Sequence, residues 1–329
     1  MRLLIVRLSA MGDLIHALPL AENAHRAGAT VAWLAESSHA KLLEGNPNLS
    51  RIFRALTKRW RRMPIAPSTL STLATLRREL REFRPDLTLD VQGLWKSAVL
   101  ARLAGAPVVG FAAPDRREPS SALLVQRPVR LDPKLLHVVD QNLSLLAPLG
   151  IPVSRTAPEA SYLLERRNIE AERFLGDVAS PFVLYHPGAG QPEKALGEEL
   201  YAELARRLER EHGFSPVISW GPGDEARLAR MAELLPNARR PPLLDSPALA
   251  HVIAAASLFV GGDTGPLHLA DALGVPTLAL FGPTASRRNV PVRNGPYRGG
   301  SLNYAEASAV QTVVARAVEI LQRRARPAP

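Results

Sequence analysis

The sequence predicts an α/β protein made of two Rossmann-like domains in tandem, their parallel sheets facing a central cleft. Three observations lead there. Short apolar, β-rich runs alternate with longer helical runs along nearly the whole chain, the pattern of parallel βαβ units. That rhythm breaks once, at Gly150–Pro158 (Gly-Ile-Pro-Val-Ser-Arg-Thr-Ala-Pro), a stretch of linker composition, and then restarts. The length of 329 residues fits two domains at roughly 100–200 residues each. The boundaries are set at 1–155 and 156–329.

In the first half, Arg2–Leu8 reads as a buried strand and Leu14–Ala27 as a helix closed by Gly28. Thr30–Ala35 and the weaker Arg51–Ala55 are strands. Ser68–Phe83 is an amphipathic helix stopped by Pro85. Leu87–Val91 is a strand, Leu94–Leu103 a helix closed by Gly105, Val108–Phe111 a strand, and Leu135–Leu149 a helix. In the second half the strands are Phe182–Tyr185, Pro216–Trp220, Leu258–Gly261 and Thr277–Phe281. Helices cover Glu198–His212, Asp224–Leu235, Pro247–Ala256 with Ser246 as N-cap, and Pro266–Leu273. A last helix over 305–324 is a candidate to pack back on the N-terminal domain.

Composition limits the function classes. Hydrophobic residues at 46% and charged residues at 22% are ordinary for a globular protein and argue against disorder. With no cysteine, thiolate catalysis and Cys-ligated zinc are excluded. The longest largely apolar stretch, Val252–Val260, is far short of the roughly 20 residues of a spanning helix. The N-terminal apolar run is broken by Arg7, unlike a signal peptide, so a cytoplasmic protein able to touch a membrane surface is expected. The 41 Lys and Arg against 31 Asp and Glu, a net charge of +10, predict an anionic partner. Nucleic acid is disfavoured: no recognition module is present, and aromatic residues are only 5%.

Sites in such sheets lie at the carboxyl ends of strands, and four segments of interest fall there. Asp13, in Ser9-Ala-Met-Gly-Asp13 after the first strand, is either a helix N-cap or a cleft-facing general base. The loop from His186 to Lys194 contains Gly188, Ala189 and Gly190 before a helix. It reads as a surface loop or as a diphosphate cradle of main-chain amides with Lys194 adding charge, and it matches neither a P-loop nor a dinucleotide fingerprint. Asp263-Thr264-Gly265-Pro-Leu-His268 follows a strand and opens a helix. These residues either cap that helix or converge on phosphate and sugar hydroxyls. Lys58-Arg59-Trp60-Arg61-Arg62 and Arg116-Arg117 read as loops. They are solvated charge or an electropositive rim for phosphate and carboxylate groups. No Asp-x-Asp pair and no cluster with metal spacing occurs, so no divalent metal and no cofactor is predicted.

Four segments together carry a resemblance: Ser9–Pro19, Asp90-Val-Gln-Gly-Leu-Trp-Lys96-Ser-Ala, Arg117-Glu-Pro119, and Asp263–His268 continuing to Phe281-Gly-Pro-Thr284. Through them the chain resembles the lipopolysaccharide heptosyltransferases of glycosyltransferase family 9, which have the two-lobed GT-B fold. The basic-Trp-basic run and Arg117-Glu-Pro are most similar to the heptosyltransferase I branch. The resemblance implies an inverting enzyme that moves L-glycero-D-manno-heptose from ADP-heptose to a 3-deoxy-manno-octulosonic acid (Kdo) residue of Kdo2-lipid A. It would work peripherally on the cytoplasmic face of the inner membrane. Asp13 would be the base. Gly188, Ala189, Gly190, Lys194, Glu225 (ribose), Leu244 (adenine), Asp263, Thr264, Gly265 and His268 would bind the donor. Arg59, Arg61, Arg62, Lys96 and Arg117 would hold the anionic acceptor. The donor loop departs from the family's Lys-x-Trp-Pro, reading Lys194-Ala-Leu-Gly197. Alternatives are a family 9 transferase using another nucleotide sugar or a later core heptose, a GT-B sugar-nucleotide epimerase, and a basic nucleic-acid-binding protein.

Overall fold

A computed structural model describes residues 1–188, 196–281, 288–293, 299–302 and 309–324. The chain forms two compact units, Met1–Pro158 and Glu159–Pro329, dividing three residues beyond the expected boundary.

The first unit runs β1 (Arg2–Val6), α1 (Met11–Arg26), β2 (Thr30–Glu36), β3 (Arg51–Ala55), α2 (Thr57–Arg62), α3 (Pro67–Phe83), β4 (Leu87–Asp90), α4 (Trp95–Leu103), β5 (Val108–Phe111), β6 (Arg127–Val129) and α5 (Val138–Leu143). Its six strands are all parallel, in the order β3-β2-β1-β4-β5-β6. That is the doubly wound order, and it reverses direction between β1 and β4. Leu3 sits in register with Val31 on one side and Leu87 on the other. The loops after β1 and β4 therefore flank the switch point, where such sheets place ligands. One face of the sheet is sealed by Leu4, Val6, Leu34 and Phe53 packing on Leu76, Leu80 and Phe83 of α3.

Two elements differ from the sequence reading. Lys58–Arg62 is not a loop but α2, because Trp60 is buried in that core and its Nε1 donates to Thr72 Oγ1 (2.9 Å). The helix expected over Leu135–Leu149 is α5 continued by a 3-10 turn, Ser144–Leu149, which contains Pro148. Strand β6, only three residues long and mostly exposed, lacks the apolar alternation that would reveal it.

The second unit runs α6 (Ile169–Gly176), β7 (Phe182–His186), α7 (Glu198–His212), β8 (Ser215–Ile218), α8 (Glu225–Leu234), α9 (Ser246–Ala255), β9 (Leu258–Gly261), α10 (Gly265–Ala272), β10 (Thr277–Leu280), β11 (Gly299–Leu302) and α12 (Val310–Arg324). The sheet is again parallel, ordered β11-β10-β9-β7-β8, with its switch point between β9 and β7. The N-cap of α9 is Asp245, whose carboxylate accepts from Ala248 N (3.0 Å), rather than Ser246. Helix α12 is the expected final helix. Its buried face, Val313, Ala317 and Ile320, joins Val260, Leu278 and Leu280 in the core of this unit.

Candidate active site

In the first unit the site is built at the carboxyl end of β1. Ala10 is the N-cap of α1 and Asp13 its third residue, so Asp13 is not itself the N-cap. Its Oδ2 accepts from the Ala10 N–H (3.2 Å), which satisfies one of the orphan donors of the helix start. The same oxygen receives Arg7 Nη2 at 2.6 Å. Arg7 is buried; its Nη1 donates to Val91 O (2.8 Å), and its own carbonyl accepts from Trp33 Nε1 (3.0 Å). A guanidinium tied to the backbone just after β4, on a residue whose carbonyl is held by a core tryptophan, thus fixes the carboxylate. With Oδ2 doubly engaged, Oδ1 has no partner among the described residues, and the Asp13 side chain keeps 35% of its surface exposed. Capping and presentation of a free oxygen are here done by one residue. Sequence reasoning missed Arg7, treating it only as a break in an apolar run. Its signal is position: a basic residue directly after the first strand, six before the acid.

The loop after β4 is organised by a fully buried ion pair. Asp90 and Arg116 have no exposed side-chain surface, and Arg116 Nη2 bonds Asp90 Oδ2. Asp90 Oδ1 also accepts from Gln92 N (3.2 Å) and Gly93 N (3.3 Å), and Arg116 Nε donates to Ser121 Oγ (2.7 Å). Gly93 has φ +71°, and a Cβ there would lie 3.5 Å from Arg116. Arg116 therefore leaves the electropositive rim assigned to it with Arg117. It clamps two loops; Arg117, next in the chain, and Lys96, in the first turn of α4, are exposed cations. Arg59, Arg61 and Arg62 are exposed on α2, which Glu36 anchors by accepting from Thr57 N (3.1 Å). His39, packed near Lys58 and Lys96, is held below its usual pKa, by burial first and then by the Lys58 charge. His16, of the motif that holds Asp13, is buried with its ring 5.9 Å from that of His137, and so belongs to the packing of α1 on α5.

In the second unit three loops meet at the carboxyl ends of β7, β8 and β9. His186 ends β7 with its Nδ1 3.1 Å from Ser219 Oγ, and burial lowers its pKa to about 4. The loop after β8 is closed by Asp224, whose Oδ2 accepts from Gly221 N (2.9 Å). Gly188 lies between these groups: a Cβ there would stand 2.6 Å from Asp224 Oδ2 and 2.9 Å from His186 Nε2. Only glycine fits without a shift, so the start of the 186–194 loop is pressed against the sheet end. Ala189, Gly190 and Lys194 lie outside the described residues. Gly262 approaches the same strand of backbone, its Cβ position 3.7 Å from Gly188 O.

The following turn brings together the residues the sequence reading grouped. Asp263 Oδ1 lies 3.1 Å from His268 Nε2, and Oδ2 accepts from Asn289 Nδ2 (3.1 Å). A carboxylate can only accept, so His268 Nε2 carries the proton. Thr264 is the N-cap of α10, yet its hydroxyl makes no cap bond and is buried without a partner among the described residues. An unpaired buried hydroxyl beside the positive end of a helix suits an anionic oxygen. One turn on, Asp271 accepts from Val292 N (2.7 Å) and Arg293 N (3.0 Å), and burial raises its pKa. Glu225, first residue of α8, is exposed and accepts from Gly223 N (3.3 Å); Leu244 is half-buried just before α9. Asn289 and Asp271 were not singled out in the sequence, since their partners are distant in the chain, and neither was Asp224, whose approach to Gly188 is equally non-local. Among the described residues no group of three or more His, Asp or Glu is placed to hold a metal ion, and no helix is long and apolar enough to cross a membrane.

The two doubly wound sheets are shared with solved structures. E. coli heptosyltransferase WaaC with ADP-2-deoxy-2-fluoro heptose aligns over 99% of this chain and 100% of its own, with a TM-score of 0.76 and 26% identity. UDP-GlcNAc 2-epimerase from Neisseria meningitidis aligns over 100% and 95%, with a TM-score of 0.56 and 16% identity, a likeness of fold alone. The architecture is thus the GT-B class, which serves more than one chemistry. Sequence decides among them. The model of glycosyltransferase family 9 (heptosyltransferase) matches residues 73–311. Lipopolysaccharide heptosyltransferase 1 of Pseudomonas aeruginosa is 34% identical over 86% of this chain and 79% of its own length. The E. coli K12 protein of that name is 29% identical over 86% and 88%. The chain belongs to glycosyltransferase family 9 and is a glycosyltransferase.

Proposed function

We propose that the protein is an inverting heptosyltransferase of lipopolysaccharide core synthesis. In this reading it transfers L-glycero-D-manno-heptose from ADP-heptose to a Kdo residue of Kdo2-lipid A. The observation that carries the reading is Asp13, held by Arg7 and its own helix start with one carboxylate oxygen left for a substrate hydroxyl. Relatives support the substrates: those from P. aeruginosa and E. coli are named lipopolysaccharide heptosyltransferase 1, and WaaC was solved with an ADP-heptose analogue. In the proposed step, the acceptor hydroxyl oxygen bonds to the anomeric carbon from the face opposite ADP. Asp13 Oδ1 takes the hydroxyl proton, and the bond to the diphosphate oxygen breaks with its electron pair leaving on ADP. Lys194, the amides of Gly188, Ala189, Gly190 and Gly265, and the Thr264 hydroxyl neutralise that charge. Asp263 and His268 bind the heptose or phosphate, Glu225 the ribose, and Leu244 the adenine. Arg59, Arg61, Arg62, Lys96 and Arg117 hold the anionic acceptor. With cationic and amide groups taking the leaving-group charge, we propose a reaction that needs no divalent metal, at the cytoplasmic face of the inner membrane.

The test is Asp13→Asn, assayed for transfer from ADP-heptose to a Kdo-bearing acceptor. A loss below about tenfold, or ~1.4 kcal/mol of barrier, refutes the assignment of the base. A second reading, a later core heptose as acceptor, is favoured by the 28% identity to heptosyltransferase 3 of E. coli over 74% of the chain. The departure of Lys194-Ala-Leu-Gly197 from the family's Lys-x-Trp-Pro keeps another nucleotide sugar as an alternative donor. Thermal shifts with ADP-heptose, UDP- and GDP-sugars separate the donors, and a shift only with the latter two overturns the first reading.

A further inference from the structure

The turn between α2 and α3 and the first residues of α3 carry exposed apolar side chains close together in the chain. Ile65 is 88% exposed, and Met63 (48%) and Leu70 (58%) flank it. Isolated exposed apolar residues are ordinary; three within eight residues, across the turn and the start of α3, are not. The turn is held in shape. Met63 N donates to Arg59 O (3.2 Å), Thr69 Oγ1 donates to Met63 O (2.7 Å), and Trp60 roots α2 in the core. Those internal bonds fix the turn at Met63, while the apolar side chains stay exposed.

The surroundings are cationic. From Gly45 to Arg78 the chain has eight Lys and Arg and no Asp or Glu. Lys58, Arg59, Arg61 and Arg62 stand exposed immediately before the turn. Since α2 follows β3 directly, the turn lies toward the end of the sheet that carries Asp13 and Lys96. An apolar tip within a basic collar matches one surface, a bilayer bearing anionic headgroups, where side chains enter the interface and cations pair with phosphates. A soluble protein partner would leave the unbroken positive run without its counterpart unless it were strongly acidic.

We infer that the α2–α3 turn, with Ile65 at its tip, docks the enzyme on an anionic lipid surface and so brings Asp13 to the headgroup level. The inference rests on the glycolipid-acceptor reading above. It differs from that reading in assigning Met63, Ile65 and Leu70 to the membrane rather than to the acceptor sugar.

The experiment is co-sedimentation of the full chain with phosphatidylglycerol/phosphatidylcholine vesicles and with phosphatidylcholine vesicles alone. The wild type partitions onto the anionic vesicles, less so as salt rises. Ile65→Asp lowers that partition at least about tenfold, from lost apolar insertion and added repulsion. Because Ile65 touches little of the protein, ADP affinity and transfer to a water-soluble, deacylated Kdo acceptor stay at wild-type values in the variant, while transfer to acceptor embedded in vesicles falls. Unchanged vesicle binding by Ile65→Asp overturns the inference, as does loss of self-association with vesicle binding intact, which would make the turn a contact between copies. Absence of transfer to either acceptor by the wild type refutes the proposed reaction, and leaves the vesicle result to be judged by itself.

Discussion

Replacing Arg7 tests whether Asp13 works as a free carboxylate or as a positioned one. In Arg7→Met the ion pair to Asp13 Oδ2 (2.6 Å) and the bond to Val91 O (2.8 Å) are lost, while the aliphatic volume is mostly kept. Asp13 then retains only the weaker Ala10 N–H bond (3.2 Å), and its carboxylate can rotate to exchange its two oxygens. General base catalysis is worth about 10²–10⁴ in rate. A base displaced by an ångström forfeits up to about 10² of it. Arg7→Met is therefore expected to lower kcat by about 10- to 100-fold, Arg7→Lys less, and Asp13→Asn more than either. Donor KM stays near wild type in all three, since ADP is proposed to bind the other unit. Steady-state transfer to a Kdo acceptor supplies the numbers, and a double-mutant cycle supplies the logic. Once Asp13 is Asn, removing Arg7 should cost little more. A full additional 10- to 100-fold loss in the double variant would show that Arg7 acts on substrate directly, and the positioning argument fails.

Three further outcomes follow from the geometry. Arg116→Met leaves Asp90 buried with only the Gln92 and Gly93 amides, so it should destabilise the protein by about 3–5 kcal/mol; urea unfolding that shows less than about 1 kcal/mol refutes this. Asp90→Asn combined with Arg116→Met should recover part of the loss, because no unpaired charge remains. Gly188→Ala forces a Cβ to within 2.6 Å of Asp224 Oδ2. It should weaken ADP binding by about 5- to 150-fold in calorimetry if the roughly 1–3 kcal/mol of overpacking falls on the nucleotide site, and unchanged affinity would place the nucleotide elsewhere. His186 is held neutral by burial, its pKa lowered from 6.5 to about 4. Below pH 6.5 the unfolded chain takes a proton that the folded one refuses, so stability falls as pH drops from 6.5 toward 4. In His186→Gln the unfolding midpoint should be flatter across that window; identical slopes contradict the assignment.

Much of the fold was legible from local pattern. Strands β1 to β5 and β7 to β10 announce themselves as short apolar runs closed by glycine, proline or a helix start, and such signals need no distant partner. The site was legible in the same way wherever a polar residue follows a strand: Asp13 and the Asp263–His268 turn stand at strand ends because that is where a doubly wound sheet exposes residues. The α2 segment was misread since its polarity matches a loop. Only the burial of Trp60 against β3 and α3 makes it a helix.

What the sequence by itself determined, then, is the alternation of elements, the family, and which residues reach the ends of the strands. These are properties of neighbouring residues, set by periodicity and turn chemistry. What only the tertiary structure decided is how those residues are held: that Arg7 grips Asp13, that Arg116 spends its charge on Asp90 inside the protein while Arg117 keeps its own for solvent, and that Gly188 is wedged between His186 and Asp224. Each depends on which strand lies beside which. The energy of a charge depends on its burial and on the charge opposite, and neither is a property of the residue's place in the chain.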